Sequence, residues 1–153
     1  MGKIQQLVLF ISLVISGASF GQENPFKAVQ DLFSAMSAVD HVKMQTNVTR
    51  DFQLLEVGEV WDLEDLINVV NPSEYTRRNY FNVISTKIND NTAWVSYWNK
   101  ATFTKGDIVE TVVWLESAVL IKNNNNWKVQ MLHSSKITPE KLPKDVILTE
   151  YKQ

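Results

Sequence analysis

The sequence predicts a single α+β domain in which a few short helices pack on a curved antiparallel sheet. Apolar residues recur mainly at helical spacing in the first part of the chain, up to Pro72, and mainly at strand spacing after it. Short polar runs rich in asparagine, aspartate and glycine separate the extended segments, as expected for tight hairpin turns. Helices that are segregated from a meander of strands are typical of the α+β class.

The first 21 residues have the layout of a cleavable signal peptide. Lys3 supplies the positive charge, residues 7–15 form the apolar core, and small residues follow. This apolar run is about half of the ~20 residues that a membrane-spanning helix needs. We therefore expect cleavage near Gly21/Gln22, with a cut after Ala18 or permanent anchoring as the less favoured alternatives. The sequence thus predicts export to the periplasm or the outside, without membrane attachment after cleavage.

The composition disfavours or excludes several functional classes. The 132 residues that remain after removal of 21 from 153 suit one domain with one core. Loss of Lys3 leaves 14 basic against 17 acidic residues, a net charge of −3, so nucleic acid and anionic membrane are poor candidates for partners. The chain has no cysteine, which excludes disulfides, thiolate catalysis and a lipid anchor on cysteine.

Residues 24–40 are predicted to form an amphipathic helix. Asn24 is a candidate N-cap, and Pro25 then takes the first helical position, where no amide hydrogen is needed. Asp40 is a candidate cap for a short second helix over residues 40–45. The apolar positions of the first helix recur every three or four residues, at Phe26, Val29, Leu32, Phe33, Met36 and Val39.

A small hairpin and a third helix follow. Residues 51–61 predict two short strands joined by a turn near Gly58. Asp62 or Asp65 then begins a helix, which ends at Asn71-Pro72 because proline disfavours α conformation in the residue before it.

Four long strands are predicted after Pro72. Three turns separate them, at residues 89–91, 105–107 and 123–126, and the last of these is a run of asparagine, which tolerates positive φ. The strands span residues 80–88, 92–104, 108–122 and 127–135. We assign residues 22–137 to the folded domain and expect the C-terminal tail, residues 138–153, to be irregular or partly mobile.

This order of elements resembles the NTF2-like superfamily, in particular the small SnoaL-like and DUF4440-type domains that bacteria often export. The resemblance covers roughly residues 26–135. It rests on the last strand, 127–135 (WKVQMLHSS), which is similar to the family's closing pattern of a tryptophan, alternating apolar residues and His-x-Ser, and on Ala38-Val39-Asp40 at the end of the first helix. The resemblance implies a cone with a pocket between the concave sheet face and the helices, and usually a dimer formed through the sheet.

The resemblance leaves three functions open, because a fold does not define an activity. The leading hypothesis is binding of a small, largely apolar molecule in the cone pocket. The alternatives are a cofactor-free isomerase, dehydratase or cyclase, and a dimeric module for protein interaction. No cofactor is expected in any of them.

His133 and Asp40 are the candidate catalytic residues. His133 shares strand parity with Val129 and Met131, so we expect it to face the pocket, where an imidazole can exchange protons near neutral pH. Alternatively, His133 only hydrogen-bonds to neighbouring strands. Asp40 is either a pocket carboxylate or the cap of a helix.

Four residues are candidates for ligand contacts: Tyr80, Tyr97, Arg78 and Met131. A metal site is not predicted, because His41 and His133 are the only histidines and no carboxylates accompany them at ligand spacing.

Three tryptophans predict an interface between two copies of the chain. Trp94 and Trp98 lie on one side of their strand, with Trp114 on the next strand, so together they form an apolar patch larger than a monomer usually exposes. Glu110 and Glu116 share the parity of Trp114, which favours an exposed face. In the alternative, the indoles face the helices as core or as stacking walls for a ligand.

Overall fold

The computed structural model of the protein describes residues 24–152, which form three α-helices, one short 3-10 turn and seven strands. The predicted signal peptide, residues 1–21, lies outside the described residues. Within the described range, none of the helices has the length and hydropathy of a membrane span.

The helices lie close to the predicted positions: α1 spans Phe26–Ser37, α2 His41–Asn47 and α3 Leu63–Val69. The side chain of Asp40 caps α2 by accepting the backbone N–H of Lys43, so this prediction is confirmed. Asp62 caps α3 in a capping box with Asp65. At α1 the prediction is one residue off, because Pro25 takes the N-cap position and no side chain caps the helix.

The seven strands form one sheet in the order β2-β1-β6-β5-β4-β3-β7. Neighbouring strands are antiparallel, except that β1 and β6 run parallel, so the sheet is mixed rather than purely antiparallel. The strands are β1 (Val48–Glu56), β2 (Glu59–Trp61), β3 (Thr76–Asn89), β4 (Thr92–Lys105), β5 (Ile108–Asn123), β6 (Asn126–Ile137) and β7 (Thr149–Glu150).

The predicted turns are confirmed by backbone conformation. Gly58 has a φ of 81° between β1 and β2, and Asp90 has a φ of 50° between β3 and β4. Asn124 and Asn125 adopt φ angles of 48° and 64° between β5 and β6. Glycine, asparagine and aspartate tolerate this left-handed region best, which explains why the turns could be located from residue type.

One face of the sheet, which we call the inner face, packs against the helices. Helix α1 buries Phe26 and Phe33 on this face against Phe81 of β3 and Tyr97 of β4. The rings meet edge to face with centroids 4.8 to 6.1 Å apart. Burial of each ring stabilises the fold by roughly 2–3 kcal/mol, so this aromatic cluster is the centre of the core.

The opposite side is the outer face, and irregular positions decide which residues reach it. On β6 the pairing with β5 shifts so that Val129 pairs with Leu120 but Met131 pairs with Val119. One extra residue in β6 reverses the alternation of the side chains that follow it. As a result Val129 and Leu132 are both buried on the inner face.

The C-terminal segment is more ordered than predicted. Residues Pro139–Lys141 form a 3-10 turn, and β7 pairs with β3 at Tyr80 and Phe81. Tyr151 packs against the core, and its hydroxyl donates a 2.7 Å hydrogen bond to Asp31 of α1. The predicted tail therefore supplies the seventh strand and ties it to the first helix.

Candidate functional site

Two clefts open on the inner face near the turn between β4 and β5. The Arg77 cleft, of about 490 Å³, lies between the C-terminal end of α1, the segment after α3, and strands β3 and β4. The Trp114 cleft, of about 400 Å³, lies between β1, β2, β5 and β6, and Phe103 lines both clefts. The Arg77 cleft is lined by Met36, Val39, Val70, Tyr75, Arg77 and Phe103, among others, and the Trp114 cleft by Glu56, Trp61, Phe103, Val112, Trp114 and Lys136.

Arg77 is the charged side chain of the first cleft. Its guanidinium carbon lies 5.5 Å from the ring centroids of both Phe33 and Phe103. Its Nε donates a 2.9 Å hydrogen bond to Oδ1 of Asn79, and the amide of Asn79 donates to Oγ of Ser37 at 2.6 Å. These contacts fix the guanidinium in place at one wall of the cleft.

The terminal nitrogens of Arg77 make no hydrogen bond and no ion pair with the described residues. Burial lowers the pKa of Arg77 to about 10, although the negative charges of Glu116 and Glu56 oppose this shift. The guanidinium is therefore positively charged at neutral pH, and its outer donors remain available to a ligand.

Behind the clefts lies a buried polar cluster, which we call the Glu116 cluster: Tyr97, Asn99, Glu116 and Ser134. Glu116 is 6% exposed and accepts hydrogen bonds from Nδ2 of Asn99 at 3.0 Å and from Oγ of Ser134 at 2.8 Å. Burial raises the pKa of Glu116 to about 7, and the hydrogen bonds and the charge of Arg77 only partly offset this rise. Glu116 can therefore exchange a proton at neutral pH.

Two atoms of the Glu116 cluster lack a hydrogen-bond partner among the described residues. Oδ1 of Asn99 is one of them, and the hydroxyl of Tyr97 is the other. Tyr97 interacts with the Glu116 carboxylate, and burial together with this negative charge raises the pKa of Tyr97, but the hydroxyl does not reach hydrogen-bond geometry. Unpaired buried polar atoms are rare in native proteins, which marks this cluster as a candidate site rather than ordinary core.

Trp114 lies between the Glu116 cluster and the Trp114 cleft. It pairs with Asn99, two residues along the strands from the pair of Glu116 with Tyr97. Its indole Nε1 donates to Oε1 of Glu56 at 3.2 Å. Between residues 24 and 152, no three histidine, aspartate or glutamate side chains come together as a metal site. The arrangement offers an anion-binding group, a proton-exchanging carboxyl and aromatic walls.

His133 and Asp40, the predicted catalytic pair, do not share a cavity. The extra residue in β6 places His133 on the outer face, exposed and paired with Ser117 of β5, and Ser134 takes the inward position instead. Asp40 caps α2. The prediction that His133 faces the pocket is wrong, because parity was counted through an irregular strand.

The four predicted ligand-binding residues are divided between the two faces. Tyr97 lies on the inner face and is fully buried. Arg78, Tyr80 and Met131 lie on the outer face, because they pair with Thr102, Lys100 and Val119 respectively. The prediction is therefore wrong in placement for these three, and the adjacent Arg77 is the arginine that faces inward.

The three tryptophans are divided as well. Trp94 and Trp98 lie on the outer face, where Trp94 is 41% exposed. Trp114 lies on the inner face, so its assignment to a shared patch is wrong. Its place on the outer face is taken by Leu115, which pairs with Trp98 and is 39% exposed. Glu116 shares the parity of Trp114, as predicted, but both side chains lie on the inner face and not on an exposed one.

The architecture is that of an α+β cone domain, in which helices cover the concave face of a curved sheet and clefts open at one end. More particularly it is the NTF2-like fold. The chain is similar to a ketosteroid isomerase-like protein from Erwinia carotovora (TM-score 0.56, 18% identity, covering 74% of this chain and 93% of that one). It is also similar to an NTF2-like protein from Cytophaga hutchinsonii, with a TM-score of 0.59 and 17% identity over 73% of this chain and 94% of that one. A CaMKII hub homology domain from Chlamydomonas reinhardtii matches with a TM-score of 0.63 and 21% identity over 74% of this chain and 95% of that one.

Sequence comparisons add no assignment, since no protein-family model and no curated protein matches the chain. The structural likenesses, at these levels of identity, establish the fold alone. Function must therefore be argued from the clefts and the Glu116 cluster.

Proposed function

We propose that the domain binds a small, largely apolar molecule that carries an anionic end, and that this molecule occupies the Arg77 cleft. The observation that carries the proposal is the guanidinium of Arg77, which is held between two phenylalanine rings with its terminal nitrogens unpaired among the described residues. A partly buried charge without a partner is costly, so a ligand that pairs with it gains much of its affinity there.

The rest of the cleft suits an apolar body. Its walls include Met36, Val39, Val70 and Tyr75, and its volume of about 490 Å³ is within the usual range of small-molecule sites. A planar carboxylate can accept two parallel hydrogen bonds from a guanidinium, which makes small apolar carboxylates the favoured ligand class.

Two adjacent arginines provide a matched test. Arg77 faces the cleft, and Arg78 lies on the outer face. We would titrate benzoate, phenylacetate and hexanoate into the domain by isothermal calorimetry and follow backbone amide shifts by NMR. Arg77→Met should weaken binding at least about tenfold, because a charged hydrogen bond contributes ~1.5–3 kcal/mol. Arg78→Met should leave it unchanged. Equal affinity in the two variants, or no binding of any of the three acids, would refute the proposal.

A second candidate function is cofactor-free acid–base catalysis, and it centres on Glu116 rather than on His133 and Asp40. The support is the buried carboxyl group of Glu116, which Asn99 and Ser134 hold by hydrogen bonds next to Trp114 of the Trp114 cleft. Its pKa of about 7 suits this role, since a general acid or base works best near the operating pH. The test is deuterium exchange at the α-carbon of small ketones in D₂O, followed by NMR. Exchange should be faster than in buffer and should be lost in Glu116→Gln; exchange at the buffer rate would dismiss this function.

We also propose a homodimer formed through the outer face. The exposed apolar side chains Trp94 and Leu115, with Trp98 beside them, support this assembly because isolated monomers seldom expose such a patch. The similar CaMKII hub domains agree with an oligomeric state. A monomer in solution would instead favour the alternative of an interaction module whose outer face binds a different protein.

Export is a further proposal, supported by the layout of residues 1–21. Mass spectrometry of the protein recovered from its own cells would locate the cleavage. A first residue at Gln22 supports export, and a full-length chain retained in the cytoplasm contradicts it.

A further inference from the structure

We propose that the Trp114 cleft binds a small organic cation of the quaternary ammonium class, which is held by aromatic rings and two carboxylates. This site takes a ligand of opposite charge to that of the Arg77 cleft, so it goes beyond the proposed function and does not depend on it. The volume of about 400 Å³ lies within the range of small-molecule sites and accommodates a group such as trimethylammonium.

Two glutamates oppose each other in the lining of the Trp114 cleft. The register of the hairpin pairs Glu56 of β1 directly with Glu59 of β2, and both residues line the cleft. Like charges at directly opposed positions of an antiparallel pair destabilise it. Neither carboxylate forms an ion pair with any residue between 24 and 152. A bound cation would offset this repulsion.

Each of these carboxylates accepts a hydrogen bond from a tryptophan that lines the same cleft. Nε1 of Trp114 donates to Oε1 of Glu56 at 3.2 Å, and Nε1 of Trp61 donates to Oε2 of Glu59 at 2.7 Å. The two bonds restrain the orientation of the indoles. Tryptophan is the side chain whose ring attracts cations most strongly.

The faces of the two indoles are not occupied by other residues of the described range, 24–152. Within it, neither ring stacks with another aromatic ring, and neither is contacted by an arginine or lysine in cation–π geometry. Trp61 and Trp114 are both half-buried, and Phe103 supplies a third ring to the cleft. Aromatic rings grouped with carboxylates are the features that recognise quaternary ammonium ligands.

The turn between the two glutamates is strained. Val57 has a φ of 52°, which is unfavourable for a β-branched residue, and Gly58 follows with a φ of 81°. Asparagine is preferred over valine at the first position of such a two-residue turn. Strained backbone is concentrated at functional sites, and Val57 is part of the lining of the Trp114 cleft.

One positively charged residue, Lys136, also lines the Trp114 cleft. It is exposed and forms no ion pair with Glu56 or Glu59, so solvent screens its charge. The lining therefore carries two negative charges against one positive charge. Lys136 opposes a cationic ligand, and its removal should strengthen binding.

The experiment compares choline with 3,3-dimethyl-1-butanol, a neutral molecule of nearly the same shape. Each is titrated into the protein at constant ionic strength, and the signals of the five indole N–H groups are followed by NMR. We expect the signals of Trp61 and Trp114 to shift and the other three to stay in place. Affinity for choline should be at least about tenfold higher, because only the ammonium group is attracted to the ring faces and the carboxylates.

Variants of the tryptophans test the aromatic contribution. Trp114→Leu should weaken choline binding at least about tenfold and should change the affinity for the neutral alcohol much less. Trp127→Leu is the control, because Trp127 is also half-buried but lines a different cleft. If Trp114→Leu does not fold, as judged by circular dichroism, the comparison of the two ligands in the wild-type protein decides.

Variants of the charged residues should act in opposite directions. Glu56→Gln removes the charge but keeps an acceptor for the indole, and it should weaken choline binding about two- to fivefold. Lys136→Gln should strengthen it by about the same factor. Lys128→Gln on the same strand should have no effect, because Lys128 lines a different cleft.

The outcomes that overturn the inference are specific to this cleft. They are an absence of choline binding, equal affinity for choline and the neutral alcohol, or an equal loss of affinity in Trp114→Leu and Trp127→Leu. Binding of carboxylates in the Arg77 cleft is measured separately, so each of the two proposals can fail while the other stands.

Discussion

Asn99 of β4 donates a 3.0 Å hydrogen bond from Nδ2 to Oε2 of Glu116 on β5, within the interior of the cone. Ser134 of β6 donates to the other carboxylate oxygen at 2.8 Å. One buried carboxylate thereby links three adjacent strands. The same burial disfavours its charge, so the stability of the domain depends on the protonation state of this group.

Stability should fall between about pH 4.5 and pH 7 because of Glu116. The folded-state pKa is about 7 and the ordinary value is 4.5, so the folded protein holds this proton more tightly than the unfolded chain. The contribution is fully present below the ordinary value and is lost as the pH rises through 7. It amounts to about 3 kcal/mol, at ~1.4 kcal/mol per pKa unit. Urea denaturation at pH 4.5, 6 and 8 measures it.

Glu116→Gln should remove this part of the pH dependence. The difference in free energy of unfolding, variant minus wild type, should be more favourable to the variant at pH 8 than at pH 5. Glu110→Gln is the control and should retain the wild-type slope, since Glu110 is exposed. A slope that survives in Glu116→Gln would assign the titration to another group.

Leu115→Lys should convert the proposed dimer into a monomer. Leu115 pairs with Trp98 on the outer face and is 39% exposed, so the lysine disturbs the interface and not the core. Val109→Lys makes the same change at a more exposed position of β5 and should leave the dimer intact. Light scattering during size-exclusion chromatography gives the masses. A dimer in both variants would show that the interface does not include the centre of the outer face.

Asp40→Ala should lower the free energy of unfolding, because the backbone N–H of Lys43 loses its acceptor at the start of α2. Asp40→Ser should restore much of the loss. Neither variant should alter binding of carboxylates, because Asp40 does not line the Arg77 cleft. A loss of ligand affinity with unchanged stability would show that Asp40 contributes to ligand binding. Chemical denaturation and calorimetry supply the two measurements.

Tyr151→Phe should destabilise the domain by about 1 kcal/mol, since it removes the 2.7 Å hydrogen bond to Asp31 that ties the C-terminal segment to α1. Tyr80→Phe removes a hydroxyl from the outer face and serves as the control. Thermal unfolding of the two variants compares them directly. Equal melting temperatures would show that the C-terminal segment contributes little to stability.

The order of elements could be predicted from the sequence, because helix caps, turn residues and side-chain periodicity are local signals. Asp40 and the asparagine turn before β6 act as predicted. The assignment of side chains to faces was less successful. An extra residue within β6 moves His133 outward, and no local signal in that strand marks it. The hairpins were therefore predictable and the lining of the cone was not.

The two residues that define the candidate site were overlooked for different reasons. Arg77 precedes the predicted start of its strand, so its parity with Asn79 and Phe81 was not considered. A charge in a strand usually indicates solvent exposure, so the sequence predicts an exposed face for Glu116. Polar residues of matching parity at the centres of three apolar strands, such as Asn99, Glu116 and Ser134, are the signal that could have located the cluster.

The parallel pairing of β1 with β6 determines when the domain can finish folding. Val48 pairs with Val129, more than half of the chain later, and β6 is inserted between β1 and β5. During synthesis the helices and the first hairpin must therefore wait until β6 has emerged, and such long-range closure slows folding. A chain that stalls or is cut before residue 126 leaves Phe52 and Leu54 of β1 without their strand partner. We expect such fragments to aggregate rather than to persist as smaller stable domains.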